Sequence, residues 1–238
     1  MSETIKIGDL DILVTRKEIK NVHLSVHPPD GRLTLSAPSA TELDVVRAYA
    51  ISRLGWIRQQ QAKFTEQARE NPREYIERES HYVWGRRYLM SVEYEEKKPS
   101  VRLDHKRINL TVRPGSSQEK RGQVLHEWYK DLLHKAIPPI IKTWQKKLDV
   151  QVSAYFLQRM KTKWGSCNHR AGSIRLNTEL VKKPLDLLEY VVVHEIVHLI
   201  EPTHNDRFFT ILELHYPTWR DARAELNELP LRAEAWPE

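Results

Sequence analysis

The chain has 238 residues, of which 40% are hydrophobic and 29% charged, enough apolar material for one large cored domain or two small ones. Its lone Cys167 cannot form an internal disulfide, and no stretch approaches the ~18 apolar residues of a membrane span, which excludes a disulfide-stapled scaffold and a membrane-spanning one. The net charge of +6 is uneven, because residues 201–238 hold four Lys/Arg against eight Asp/Glu and the first 200 residues therefore carry about +10. That excess permits a polyanionic partner such as a nucleic acid or nucleotide, although scattered solubilising charge is the simpler reading. The opening MSETIKIGDLD lacks a basic start followed by an apolar run, so the expected location is cytoplasmic, with no membrane partner.

Ile5 to Arg16 and Val22 to Ser36 read as strands, the second group broken by the turn cluster Pro28-Pro29-Asp30-Gly31, which suggests an N-terminal hairpin. Thr41 to Ala68 reads as one helix capped by Thr41, with Leu43, Val46, Ala50, Leu54 and Ile57 near helical spacing, and Asn71-Pro72 ends it. His81 to Tyr94 and Val101 to Val112 are β-prone and predict a second small sheet packed on the first. Pro114-Gly115-Ser116-Ser117 is the clearest composition break, so the expected division is residues 1–115, β-rich with one long helix, and 116–238. Gln118 to Leu148 is helical, capped by Ser116 or Ser117, with a kink expected at Pro138-Pro139; within it His126-Glu127 reads as surface. Ser153 to Trp164 alternates as a strand, which would set Arg159, Lys161 and Lys163 in a row on one face. Ser173 to Asn177 is a further strand, with Arg175 and Asn177 on one face and Ile174 and Leu176 toward the core. Cys167, without a second cysteine to complete a zinc set, reads as a small packed side chain. Short helices are expected over Phe208 to Leu214 and Asp221 to Leu229, and no internal repeat is evident.

The chemistry concentrates in Leu187 to Phe209, LLEYVVVHEIVHLIEPTHNDRFF. On a helix, His194 and His198 lie one above the other, so two imidazoles can grip one ion. Glu195 is then placed as general base toward metal-activated water. A tetrahedral catalytic site needs a third protein ligand. Pro202 disfavours helical geometry at Glu201, so the helix should stop near Ile200 and let His204 return to the metal; Glu201, seven residues after His194, is the competitor. The bland alternative, two core histidines on a buried helix, is costly where the surrounding residues are apolar on nearly every face.

The spacing H-E-x-x-H-x5-H, preceded by Lys163-Trp164-Gly165-Ser166-Cys167 and Ile174-Arg175-Leu176-Asn177, resembles the YgjP-like family of zinc metallopeptidases, and more distantly the WLM and SprT-like proteases. Metzincins share the histidine spacing but carry Gly where Glu201 stands and a Met-turn downstream, whereas Met1, Met90 and Met160 all lie upstream here. The resemblance implies an α+β fold, a zincin-like, minimal gluzincin-type core with the HExxH helix under a small sheet, joined to the β-rich N-terminal part. It also implies that residues 116–238 form a metal-dependent hydrolase core, that the strand Ser173 to Asn177 edges its cleft, and that the chain holds one Zn2+ and takes a peptide or protein substrate.

Zinc-dependent peptide hydrolysis is the expected activity, with Glu195 as catalytic residue, His194, His198 and His204 as ligands, and Arg159, Lys161, Lys163, Arg175 and Asn177 as candidate substrate contacts. One alternative keeps the site and changes the bond: a nucleotide pyrophosphatase, with Arg159, Lys161 and Lys163 on phosphates, though no Gly-rich phosphate loop is present. Another is a nucleic-acid-binding module with a structural metal, which would ordinarily show four protein ligands rather than three.

Overall fold

The structure is a computed structural model describing residues 2–27, 31–66, 73–160 and 163–228. It divides into two compact units between Glu70 and Asn71.

In the first unit, β1 (Ser2–Ile7) and β2 (Leu10–Lys17) form an antiparallel hairpin whose turn places Gly8 at φ 61°, and β3 (His23–His27) pairs antiparallel with β4 (Arg32–Pro38). Because β4 runs parallel to β2, the sheet order is β1-β2-β4-β3. Alternation turns Ile12, Val14, Leu33 and Leu35 inward, where Val46, Ala50 and Ile57 complete a separate core. The long helix expected here is two, α1 (Leu43–Ser52) and α2 (Leu54–Glu66), broken at Arg53 with Gly55 weakening helix continuity beside it. Glu42 occupies the cap position in place of Thr41 and makes no side-chain cap bond. Pro28 to Asp30, Ala68 and Asn71-Pro72 lie outside the described residues.

The second unit begins with β5 (Ser80–Val83), β6 (Arg86–Tyr94), β7 (Ser100–Leu103) and β8 (Arg107–Val112), in the order β5-β6-β8-β7. Its pairings are antiparallel, parallel and antiparallel, which is the connectivity of the first sheet strand for strand, followed again by a helix. A repeat is therefore present in topology where none was evident in sequence. Its turns differ, Gly8-Asp9 against Trp84-Gly85, and its clearest trace is Arg32-Leu-Thr-Leu-Ser-Ala37 beside Arg107-Ile-Asn-Leu-Thr-Val112. The expected packing of this sheet on the first is not what its inward residues do: Val83, Met90, Ile108 and Leu110 join the core of the second unit.

That core is filled by α3 (Gln118–Leu148), capped by the Ser117 hydroxyl accepting from the Lys120 amide, with Leu133 and Ile137 fully buried. The helix continues through Pro138-Pro139, and both prolines are exposed, so water can meet the carbonyls their missing N–H groups leave free. A third sheet holds β9 (Ala154–Gln158), β10 (Gly165–Asn168) and β11 (Ser173–Asn177), in the order β10-β11-β9. β11 is thus the central strand, parallel to β9 and antiparallel to β10, and the edge position expected for it falls to β10. The strand expected from Ser153 to Trp164 is shortened to β9, so no single strand face carries Arg159, Lys161 and Lys163; Lys161 lies outside the described residues.

A 3-10 turn (Thr178–Lys182) leads into α4 (Leu185–Val197), which packs on α3, β10, β11 and two later helices, α5 (Asp206–His215) and α6 (Trp219–Glu228). Among the described residues no helix is long and apolar enough to cross a membrane.

Candidate metal centre and cleft

The last turn of α4 presents His194, and His198 closes the helix. It ends earlier than Ile200, but the chain continues in tight turns, with the Leu199 amide on the Ile196 carbonyl and the Ile200 amide on the Val197 carbonyl, each at 2.9 Å. Pro202 then turns the chain away, and His204 comes back to place its Nε2 2.9 Å from Nε2 of His194. One ligating nitrogen from each of His194, His198 and His204 lies within 4.8 Å of the others. Glu201 goes elsewhere: its carboxylate accepts from the Thr203 hydroxyl at 2.9 Å, while its carbonyl lies 3.1 Å from Nδ1 of His198. If Nδ1–H donates to that carbonyl, Nε2 of His198 keeps its lone pair for a ligand.

Beneath the three imidazoles is Phe208, fully buried, with ring centroids 5.0, 4.6 and 4.8 Å from those of His194, His198 and His204. Asn205 sets it there by accepting the Phe208 amide as cap of α5. Burial keeps the imidazoles neutral: it lowers His194 to about 3, with His198 and His204 adding to the effect, and lowers His198 and His204 in the same direction. Neutral imidazole is the form that ligates a metal.

Glu195, 5% exposed, points at β10, and burial pushes its carboxyl up to about 8 while Lys163 pulls the other way. A cation held by the adjacent imidazoles would favour its carboxylate form. The approach requires Gly165, since a Cβ there would sit 2.5 Å from Oε1 and 2.8 Å from Cγ of Glu195. Reading along the sequence missed this residue's part, although Trp-Gly-Ser-Cys marked the segment. Around the pair opens a cleft of about 580 Å³, walled on one side by Lys163 to Cys167 and on the other by Tyr190 and Arg223. Cys167 is half-buried there, and burial together with Glu195 raises its thiol to about 11.

Of the five candidate substrate contacts, the cleft receives Lys163. Arg159 faces a small separate cavity, where its Nη2 is 3.2 Å from Nδ1 of His126 and its Nε 3.9 Å from Glu179. His126, read as surface, is part-buried for this reason, and burial lowers it to about 4, with Arg159 acting the same way. Arg175 lies over the Phe156 ring at 5.8 Å, opposite it on the neighbouring strand. Asn177 is fully buried: its Nδ2 donates to the Met160 and Lys163 carbonyls at 2.9 and 2.8 Å, and its Oδ1 accepts from the Glu179 amide at 3.1 Å. The basic row that a phosphate-holding site would use is therefore not assembled by Arg159 and Lys163.

A family model described as "YgjP-like, metallopeptidase domain" matches residues 20–229. The chain belongs to the YgjP-like family. The match spans most of both compact units, and it makes this YgjP-like protein a metallopeptidase by family. No curated protein matches the chain. Two solved structures resemble parts of it, both crystal structures of metallopeptidase zymogens. Jannalysin of Methanocaldococcus jannaschii is 20% identical with a TM-score of 0.34, over 38% of this chain and 87% of that one. Abylysin of Pyrococcus abyssi is 17% identical with a TM-score of 0.35, over 39% of this chain and 97% of that one. At these scores the YgjP-like assignment rests on the family match, not on the structural likeness.

Proposed function

We propose that this protein is a zinc-dependent peptidase in which His194, His198 and His204 hold the metal and Glu195 is the general base. The observation that carries the reading is the convergence of three neutral imidazoles in reach of one another, beside a buried carboxylate, at one wall of an open cleft. The donor set fits the ion: His194 and His204 bring two nitrogens to 2.9 Å, and three nitrogen ligands with a fourth position left open is the pattern of a catalytic rather than a structural zinc. When bound, zinc supplies Lewis acidity, polarising the scissile carbonyl and acidifying water.

The chain's own groups do the rest. Glu195 takes the proton from the attacking water and returns it to the leaving amine nitrogen as the C–N bond breaks, so the carboxylate ends the cycle as it began. Gly165 gives it room to lie flat against β10, and Lys163 opposes the burial that would hold it protonated. The Glu201 carbonyl orients His198 from behind.

Glu195→Gln keeps the shape and removes the base, so zinc measured by elemental analysis should stay near one per chain while peptide turnover falls by on the order of 10²-fold or more. Undiminished cleavage of a confirmed peptide substrate by that variant would end the assignment. The ligand set is tested apart from activity: His204→Ala should weaken zinc affinity strongly in a competition titration with a chelating dye, and Glu201→Ala should leave it largely intact. The opposite ranking would give the third position to Glu201.

A further inference from the structure

We propose that the outward face of the sheet β5-β6-β8-β7 binds single-stranded nucleic acid through a diagonal of arginines. The alternation that buries Met90, Ile108 and Leu110 sends the residues between them to the other face. There Arg87 stands on β6, two residues before Leu89; Leu89 pairs with Arg107 on β8; and Asn109, two residues after Arg107, pairs with Arg102 on β7. Each step from Arg87 to Arg107 to Arg102 moves one strand across and two residues along, about 8 Å at ordinary sheet spacings. All three arginines are exposed, and none of their guanidinium groups has a hydrogen-bond or ion-pair partner among the described residues. Across from Arg87, on β5, Tyr82 continues the same face and is 37% exposed, beside Leu89 at 38%. Two carboxylates share this face: Glu93 lies toward the far end, level with Thr111 and Ser100, and Asp104, opposite Arg107, accepts the His105 amide at 3.0 Å rather than pairing with a guanidinium.

The repeated topology supplies an internal control. In the first sheet Arg32 stands where Arg107 does and Ser25 where Arg102 does, the place of Arg87 falls in the turn at Asp9, and Asp11, level with Arg32, has Lys6 opposite it on β1. There Asp11 lies between Lys6 and Arg32, and Asp9 has Arg58 at 4.0 Å. The same scaffold thus carries one arginine of the line in the first sheet and all three in the second.

Charge complementarity selects a polyanion, and the exposed tyrosine selects an unpaired one: guanidinium groups neutralise successive phosphates, and an aromatic face can stack a base only where that base is not already stacked in a duplex. The line lies outside the cleft residues, so occupancy of one does not require the other.

The test is fluorescence anisotropy of a labelled oligothymidylate with the full chain across a salt series, comparing wild type with R87S/R102S/R107S. A charge-matched control, K135S/K142S/K146S, removes three exposed lysines of α3. The sheet variant should lose about tenfold or more in affinity and its log K against log salt should flatten by about 2, the share of three phosphate contacts on a single strand. The lysine control should change much less, Tyr82→Phe should bind as wild type, and Tyr82→Ser should weaken. Thermal melting of each variant establishes that it folds, which exposed substitutions should leave unchanged. Absent binding by the wild type, equal losses in the two triple variants, or displacement of the oligonucleotide by polyglutamate as readily as by unlabelled oligothymidylate would each overturn the proposal.

Discussion

The two four-stranded sheets share one connectivity and are put to different use. The first closes on its own core, in which seven buried strand residues meet Val46, Ala50 and Ile57 of α1 and α2. The second is part of a larger whole: the Trp84 and Gly85 amides of its first turn donate to the Val181 and Lys182 carbonyls just ahead of α4, and the Tyr129 hydroxyl of α3 donates to the Tyr82 carbonyl. The first hairpin of the first sheet merely reverses the chain, whereas its counterpart in the second sheet braces the approach to α4, which carries His194 and ends on His198. Topology sets where strands run; which neighbour fills the inward face decides what a sheet is for.

The comparison breaks most visibly in the cores. Leu110→Ala and Leu35→Ala each empty a fully buried position on the central pair of their sheet and should each cost about 2–5 kcal/mol. Leu110→Ala should also raise the rate at which zinc is lost to a chelator, and Leu35→Ala should not; equal zinc loss from both would mean that the units are not energetically separate. The turn glycines give a smaller and sharper contrast. Gly8 and Gly85 both sit at positive φ, but a Cβ at Gly8 meets nothing within 4 Å, whereas at Gly85 it would lie 2.9 Å from Cγ of Pro184, the residue that starts α4. Gly8→Ala should cost about 1 kcal/mol for the backbone alone. Gly85→Ala should cost about 1–3 kcal/mol more, from the overlap, and shift the zinc affinity as well, both read from urea melts and dye competition. Smallest is Tyr129→Phe, which removes one hydrogen bond between α3 and the second sheet and should cost about 1 kcal/mol with zinc affinity unchanged.

The pairing of His194 with His198 was legible in the sequence because its geometry is local: a spacing of four fixes one helix face. The return of His204 toward His194 was foreseeable from Pro202, which turns the chain off the helical path, although α4 ends at Val197, earlier than the proline demands. What was not legible depends on pairing between distant segments. β11 reads as an edge until β9 and β10 are known to flank it, and the parallel partner lies about twenty residues away with nothing local to announce it. Asn177 looks like a polar residue available to substrate, yet its amide is consumed by carbonyls 14 and 17 residues upstream. Arg159 reads as a substrate contact and His126 as a surface group because 33 residues divide them. The repeat escaped for a different reason: it is conserved in strand order while its turns and most inward side chains have changed, leaving only the central strand alike.

Cys167 offers a practical consequence. It is the single thiol of the chain, it lies on the edge strand β10 within the cleft wall, and it is held protonated well above neutral pH. Alkylating reagents, which need the thiolate, should modify it slowly at neutral pH and faster as the solution is made alkaline. Because nothing else in the molecule competes for the label, a fluorophore or spin probe attached there would report from the cleft rim alone, and the rate of its attachment would serve as a clock for how often a bound peptide leaves that rim uncovered.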